Sequence, residues 1–246
     1  MSDPTELQRH FYARGAHAHL QPRDGDFYAA KLVDMAVRGM GLGQEDRVLE
    51  VGAGFGRFSF ALLERCASLV AADLSDRALA ALDATRARQG IAPERVATRC
   101  VDLSRFAPEE LGERFPAIVG FFILHHLPDA ADTIRRLAGA LAPGGVLAFV
   151  EPNRRNPLFL AQVACCADMT WAEEKGMFQL SAHAVETSFR DAGLDVLPTR
   201  RFGCLPPQLV NRFGWARAIE AGVERARVFE PILPFLLLRA RAAAER

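Results

Sequence analysis

The residues best suited to chemistry lie at positions 48–56, where an acid and three glycines follow one another at alternate positions. Glu50, Gly52, Gly54 and Gly56 end an apolar run that reads as a buried strand. Glycine is favoured where a tight turn brings the backbone close to a ligand, because a Cβ would block both the turn and the approach. We therefore predict a ligand-binding loop between a strand and a helix.

The spacing of the glycines argues against two common phosphate-binding loops. A dinucleotide fingerprint, Gly-x-Gly-x-x-Gly, needs a third glycine where this chain has Arg57. A P-loop needs Gly-Lys-Ser or Gly-Lys-Thr, and the loop contains neither. A nicotinamide-dependent oxidoreductase is therefore disfavoured.

Two further acids fall where the next strands are predicted to end. Asp73 ends the second strand, where a carboxylate can accept both hydroxyls of a ribose, and Asp102 follows the third. Asp102 can accept an exocyclic amine, while Leu74 and Leu103 flank a flat base. One acid at a strand end is more often a solvated turn residue, but three of them beside a glycine loop favour a nucleoside site.

Alternating strands and helices must position these residues. The apolar pattern predicts strands at 47–51, 68–73, 95–101, 117–121, 146–150, from 194 and at 232–239. It predicts helices at 57–66, 130–141 and after the N-caps Ser75 and Ser181. Apolar strands joined by helices are typical of a parallel sheet covered on both faces, with all carboxyl ends at one edge.

At this point the sequence resembles a known family, the class I S-adenosylmethionine-dependent methyltransferases, and within it the small-molecule, methyltransferase type 11-like branch. The similarity is carried by residues 48–56, 70–75, 101–103, 115–127 and 141–151. It implies an α/β fold: a Rossmann-like seven-stranded, mainly parallel sheet with an antiparallel last strand, helices on both faces and an N-terminal helical cap. We expect residues 1–45 to form the cap and 46–246 the methyltransferase domain, with substrate-side insertions at about 152–180 and 206–230.

The resemblance also implies S-adenosyl-L-methionine as cofactor and S-adenosyl-L-homocysteine as product. By position, Asp73 would bind the ribose hydroxyls, Asp102 the adenine amine, and Phe121 would lie near the sulfonium. Glu50 would hold the loop or the amino group, and the glycines would line the methionine half. The implied cofactor-binding residues are Glu50, Gly52, Gly54, Gly56, Asp73, Leu74, Asp102, Leu103 and Phe121.

Catalytic residues are harder to assign, because a sulfonium methyl is already activated and a base is needed only for an acceptor that carries a proton. His125 is our candidate for a base or substrate contact, whereas packing or loop capping is favoured for His126. Glu151, at the end of the fifth predicted strand, is a second candidate base. Phe122 and His125 stand where some related enzymes place metal-binding acids, so no metal is expected. The candidate substrate contacts are Tyr12, His17 and Trp171.

The expected acceptor is a small, hydrophobic or aromatic metabolite enclosed by the cap and the two insertions. A nucleic-acid acceptor is disfavoured because the formal net charge is zero and no Asn/Asp-Pro-Pro-aromatic motif follows the fourth strand. The glycine loop and the acids indicate binding alone. A non-catalytic S-adenosylmethionine-binding sensor or assembly module therefore remains the alternative.

Cysteine usage and the chain start bear on the compartment. The five cysteines are an odd number without paired metal spacing, and the start lacks a basic and apolar leader. We therefore expect a reduced, cytoplasmic location. The most apolar late run, residues 232–238, is too short to span a bilayer, so we expect no stable membrane insertion. The oligomeric state cannot be read from the sequence.

Overall fold

The computed structural model describes residues 21–23, 25–43, 45–157, 176 and 180–244. About half of the predicted N-terminal cap and most of the first insertion lie outside these residues. So do the three candidate substrate contacts Tyr12, His17 and Trp171.

The centre of the fold is a seven-stranded sheet with the order β3-β2-β1-β4-β5-β7-β6. Strands β1 to β5 pair in parallel, and β7 runs antiparallel to both β5 and β6. The predicted mainly parallel sheet with an antiparallel last strand is confirmed. Its strands are β1 Arg47–Val51, β2 Ser68–Asp73, β3 Val96–Cys100, β4 Phe115–Phe121, β5 Leu141–Pro152, β6 Asp195–Phe202 and β7 Phe235–Arg241.

Four of the described α-helices begin after a short polar side chain that accepts from a free backbone N–H group. Ser75 Oγ accepts from Ala78 N at 3.2 Å, and Ser181 Oγ accepts from Ala184 N at 3.1 Å, so both predicted N-caps are confirmed. The described α-helices are α1 Phe27–Val37, α2 Ser59–Leu63, α3 Asp76–Arg88, α4 Ala130–Gly139, α5 Ala182–Asp191, α6 Pro207–Arg212 and α7 Gly214–Arg225.

Each face of the sheet carries its own apolar core. Neighbouring residues of a strand point to opposite faces, so Leu49 packs in the cluster that contains Ile134 and Leu137 of α4. Val48 packs in the other cluster, which contains Tyr28 and Leu32 of α1. The two clusters fix the sheet between helical layers and leave the carboxyl ends of its parallel strands at one edge.

Several boundaries differ from those that the sequence predicted. Helix α2 starts at Ser59 rather than Arg57, since the loop continues through Phe58. Strand β5 starts at Leu141, because this residue pairs with Phe115 of β4; a register shift separates this pair from the next one, Ala117 with Val146. Residues 227–232 form a 3-10 helix, and β7 begins only after it.

Candidate functional site

A cleft opens at the carboxyl edge of the sheet, beside the ends of β1, β2, β3 and β4. Part of its lining was predicted from the sequence, namely Gly52, Asp73, Leu74, Asp102 and Leu103. The remaining lining residues come from the segments after β3 and β4: Ser104, Ile123, His126, Leu127 and Pro128. The sequence did not single these residues out as lining residues, although their place in the segments after two predicted strands is a usable signal, because ligands bind beyond the carboxyl ends of parallel strands.

The glycine loop needs its glycines for conformation and for space. Gly52, Gly54 and Gly56 all have positive φ, at 72°, 52° and 88°. A Cβ on Gly52 would lie 2.7 Å from Ile123 Cγ1, and one on Gly56 would lie 2.8 Å from Leu82 Cγ. A side chain at these positions would be strained and would clash. The loop can therefore pack this closely against Ile123 and Leu82 only if these positions are glycine.

Asp73 ties this loop to the end of β2. Its Oδ2 accepts from Gly54 N at 2.8 Å, and its Oδ1 accepts from Ser75 N at 2.9 Å. Burial raises the pKa of Asp73, while the hydrogen bonds from Ser75 and Gly54 act in the opposite direction. Each carboxylate oxygen has a further lone pair, so the side chain can accept from a ligand at the cleft as well.

Asp102 lies on the far side of the cleft in a turn after β3. Its Oδ1 accepts from both the backbone N and the Oγ of Ser104, at 3.0 and 2.6 Å. Its Oδ2 lies 3.8 Å from Arg105 Nε. These contacts fix the carboxylate in the turn, and Asp102 lines the cleft together with Leu74 and Leu103.

Glu50 lies beneath the loop and is not among the described residues that line the cleft. The side chain is buried, and its Oε2 accepts from Ser59 Oγ at 2.5 Å. Burial raises the pKa of Glu50 to about 8, with the hydrogen bond from Ser59 opposing the shift. Glu50 is therefore mostly protonated near pH 7 and joins β1 to the first residue of α2.

The end of β4 carries two neighbouring aromatic rings. Phe121 is buried and stacks on Phe58, with ring centroids 4.5 Å apart. Phe122 has a φ of 56°, which is a strained conformation for a bulky residue. Its N–H donates to Val150 O at 2.8 Å, and this hydrogen bond to β5 stabilises the strained backbone conformation.

The two candidate bases contact each other. His125 Nδ1 lies 2.6 Å from Glu151 Oε2, and both residues are buried. Glu151 Oε1 also accepts from Ile123 N at 3.0 Å and from Leu124 N at 2.8 Å. Neither His125 nor Glu151 is among the described residues that line the cleft, whereas the neighbouring His126 is.

A residue of the long segment after β5 also reaches this rim. Gly176 packs so closely on the His125 backbone that a Cβ there would overlap the His125 carbonyl oxygen. The chain after β5 therefore returns to the loop that supplies His126 to the cleft.

Two searches of the described part of the chain gave no further sites. It holds no group of three or more His, Cys, Asp or Glu side chains arranged for a metal ion. None of its helices combines the length and the apolar character that a membrane span requires.

Comparisons with known proteins agree with this geometry. The family described as "Methyltransferase domain" matches residues 49–147, which include the glycine loop, both aspartates and β4. The ubiquinone biosynthesis O-methyltransferase of Pseudomonas syringae pv. tomato is 30% identical over 117 residues, which is 48% of this chain and 49% of the relative. The chain thus spans about half the length of the curated relatives it matches.

Two solved structures share the fold over almost the whole chain. The N-methyltransferase NodS from Bradyrhizobium japonicum, in complex with S-adenosyl-L-homocysteine, superposes with a TM-score of 0.62 at 17% identity, covering 98% of this chain and 99% of NodS. The cyclase SpnF superposes with a TM-score of 0.59 at 19% identity, covering 98% of this chain and 93% of SpnF. At these identities the likeness shows the fold alone.

The sheet order defines a Rossmann-like protein, and its cleft lies at the carboxyl edge of the sheet, where ligands of this architecture bind. The family match is more specific than the fold, because the matched residues contain the glycine loop, Asp73 and Asp102. The match over residues 49–147 agrees with the resemblance to class I S-adenosylmethionine-dependent methyltransferases that the sequence shows.

Proposed function

We propose that this protein transfers the methyl group of S-adenosyl-L-methionine to a small hydrophobic or aromatic molecule. The observation that carries the proposal is the hydrogen bond from Gly54 N to Asp73 Oδ2 at 2.8 Å, beside a cleft that also contains Asp102. It combines a close-approach backbone loop with a carboxylate suited to a ribose. This combination fits a nucleoside joined to a short polar chain.

The residues present fit the cofactor that the family implies. The glycine loop has no Cβ where the methionine half would pass, and Asp73 keeps lone pairs for the ribose hydroxyls. Asp102 would accept a hydrogen bond from the adenine amine, and Leu74 and Leu103 would contact the base. Phe121 is buried against Phe58, so we infer that its part in holding the cofactor is to support the loop through Phe58.

When bound, the cofactor supplies a sulfonium methyl that is already activated for in-line displacement by a lone pair of the acceptor. The protein's residues then have to align donor and acceptor and exclude water, which can supply roughly 7–11 kcal/mol of the barrier reduction. We infer that His125 and Glu151 act as positioning residues, because each is buried and engaged with the other. His126, which lines the cleft, is the histidine placed to contact a ligand.

The acceptor proposal is supported by aromatic rings next to the cleft. Phe58, Phe122 and Phe235 are each only partly buried and lie at the carboxyl edge of the sheet. In this proposal the predicted cap (1–45) and the insertions at about 152–180 and 206–230 enclose the acceptor. The P. syringae relative is named an O-methyltransferase and NodS an N-methyltransferase, so these names do not fix the acceptor atom.

Calorimetry with S-adenosyl-L-homocysteine tests the cofactor assignment. We expect Asp73→Asn to weaken binding by about tenfold or more, because it replaces a charge-assisted acceptor by an amide. The matched control is Asp76→Asn, in the exposed first turn of α3, which should leave the affinity unchanged. Equal affinities of wild-type protein and Asp73→Asn would contradict the ribose assignment.

The alternative is a non-catalytic module that binds the cofactor for sensing or assembly. The SpnF neighbour, named a cyclase, is consistent with a non-methylating role, since this fold occurs in a protein named for another reaction. Labelled S-adenosyl-L-methionine incubated with a panel of phenols and with a metabolite extract separates the two. Transfer of label supports the enzyme, and tight binding without any transfer supports the module.

A further inference from the structure

Beside the cleft, a row of side chains runs along the carboxyl edge from the glycine loop to α1. Arg57 Cζ lies 5.3 Å from the Phe58 ring centroid, and the Phe58 and Phe122 centroids are 6.0 Å apart. Phe122 and Phe235 are 5.5 Å apart, and Phe235 and Tyr28 are 6.0 Å apart. We call these residues the aromatic arc: Arg57, Phe58, Phe122, Phe235 and Tyr28.

The arc adjoins the cofactor cleft at two points along the chain. Arg57 directly follows Gly56 of the glycine loop, and Phe122 directly precedes Ile123, which lines the cleft. Arg57 Nε is held by Asp26 Oδ2 at 3.1 Å, and Asp26 also accepts from Asn211 Nδ2 at 3.0 Å. The cation at one end of the arc is therefore fixed to the start of α1, close to Tyr28 at the other end.

Tyr28 leaves one polar atom unused. The residue is only 1% exposed, and its hydroxyl has no hydrogen-bond partner among the residues that the structure describes. Its backbone N–H is satisfied, since it donates to Asn211 Oδ1 at 2.8 Å. A buried unsatisfied hydroxyl costs about 1–3 kcal/mol, so a phenylalanine here would be more stable unless the hydroxyl has a partner from outside the described residues.

The carboxylates nearest to Tyr28 are already engaged. Lys31 Nζ lies 2.5 Å from Glu220 Oε1 and 2.6 Å from Glu224 Oε1. The same two glutamates accept from the backbone N–H groups of residues 203–205. Burial, followed by the charges of Glu220 and Glu224, raises the pKa of Tyr28 well above its usual range. The hydroxyl therefore stays protonated and is available as a hydrogen-bond donor.

We propose that the aromatic arc is the acceptor site and that the Tyr28 hydroxyl donates a hydrogen bond to an oxygen carried by a planar aromatic acceptor. This inference rests on the proposed methyl transfer and adds the acceptor class and its polar contact. The phenylalanine rings supply faces and edges for an aromatic ring, worth about 0.5–1.5 kcal/mol per pair beyond buried area. The hydroxyl selects ring molecules with an oxygen that accepts a hydrogen bond.

Tyr28→Phe tests this, since it removes only the unpartnered oxygen. Binding of 4-methylphenol and of toluene is measured by NMR titration with S-adenosyl-L-homocysteine at saturation. We expect 4-methylphenol to bind about 5–30-fold more weakly to the variant, the equivalent of about 1–2 kcal/mol, with toluene unchanged. The thermal unfolding temperature should stay the same or rise, which is the opposite of what loss of a structural hydrogen bond would give.

Phe189→Leu is the matched control, because Phe189 is buried on the opposite face of the sheet. It should lower stability and leave both ligand affinities unchanged. The inference is overturned if the wild-type protein does not bind 4-methylphenol, if Tyr28→Phe binds it as well, or if Tyr28→Phe is less stable. Failure to bind S-adenosyl-L-homocysteine would instead contradict the proposed function, so the two failures are distinguishable.

Discussion

His125 Nδ1 lies 2.6 Å from Glu151 Oε2, and this buried pair joins the loop after β4 to the end of β5. The same carboxylate accepts from Ile123 N and Leu124 N. One side chain thus fixes the backbone of a loop that places Ile123 and His126 in the cleft. Three hydrogen bonds to one buried carboxylate explain why an acid is needed at the end of β5.

Glu151→Gln should therefore disturb both stability and ligand binding. The amide nitrogen replaces one acceptor oxygen, so at least one hydrogen bond from the loop is lost, at a cost of about 1–3 kcal/mol. We expect lower stability in urea and weaker binding of S-adenosyl-L-homocysteine. Glu186→Gln, which affects a pairing with Thr199 at the surface, is the control and should change neither. Wild-type stability and affinity in Glu151→Gln would contradict the positioning role.

Glu50 predicts a pH dependence of stability. Its pKa is raised by burial to about 8 from an ordinary 4.5. Between these values the folded chain holds a proton that the unfolded chain has released, so the free energy of unfolding falls as the pH rises through this window and levels off above it.

Glu50→Gln removes this dependence because an amide does not ionise. We expect the unfolding temperature of the variant, relative to wild type and without cofactor, to rise between about pH 5 and about pH 8. Glu64→Gln, at the exposed end of α2, should show a constant difference. A constant difference for Glu50→Gln too would mean that the buried acid does not hold its proton.

Replacing a glycine by alanine should have opposite effects on stability in the glycine loop and in helix α7. Gly52→Ala forces a Cβ to within 2.7 Å of Ile123 Cγ1 at a positive φ, so we expect it to destabilise the fold by about 1–3 kcal/mol and to abolish tight cofactor binding. Gly222→Ala, in the middle of α7 with open space around it, should stabilise by about 0.5–1 kcal/mol. Urea unfolding and calorimetry measure both, and equal effects would argue against a steric requirement at Gly52.

Loss of the ion pair between Lys31 and the buried Glu220 should lower the free energy of unfolding strongly. Lys31 is bound to Glu220, whose side chain is only 1% exposed, so Lys31→Met should cost about 3–5 kcal/mol by leaving that carboxylate buried without its partner. Arg38→Met breaks the exposed pair with Asp34 and should cost less than about 1 kcal/mol.

A second substitution shows whether the unpaired charge is the cause. Adding Glu220→Gln to Lys31→Met should recover part of the lost stability, because the amide has no charge to bury. Unfolding of the single and double variants in urea gives the comparison. If the double variant is less stable than Lys31→Met, the loss has another origin.

The sheet and most of the cofactor loop could be predicted from the sequence because their determinants are local. Apolar runs mark the strands, and Ser75 and Ser181 mark helix starts through hydrogen bonds only three residues long. The helix boundaries were less accurate. Strand β5 was predicted too short because its first residue, Leu141, pairs with Phe115 of another strand, and no local pattern marks that pairing.

The surroundings of the two adjacent histidines could not be predicted from the local sequence. The sequence singled out His125 and Glu151 as separate candidates, but not that they would be partners across 26 positions. His126, for which packing or loop capping was favoured, packs on the His125 ring and also lines the cleft. The two rings lie 4.0 Å apart, and the contact with Glu151 accompanies burial of His125 only.

The sequence by itself determined the fold class and the places of the glycine loop and of the acids at the strand ends, because glycine conformation and strand-end positions depend on short-range geometry. The tertiary structure decided what depends on distant contacts. It pairs His125 with Glu151 and buries Glu50 against Ser59. It also brings together the aromatic arc, whose residues come from α1, the end of the glycine loop, the end of β4 and β7. The proposed acceptor site combines four separated segments and has no local pattern, since its residues meet only when the sheet and its helices have packed.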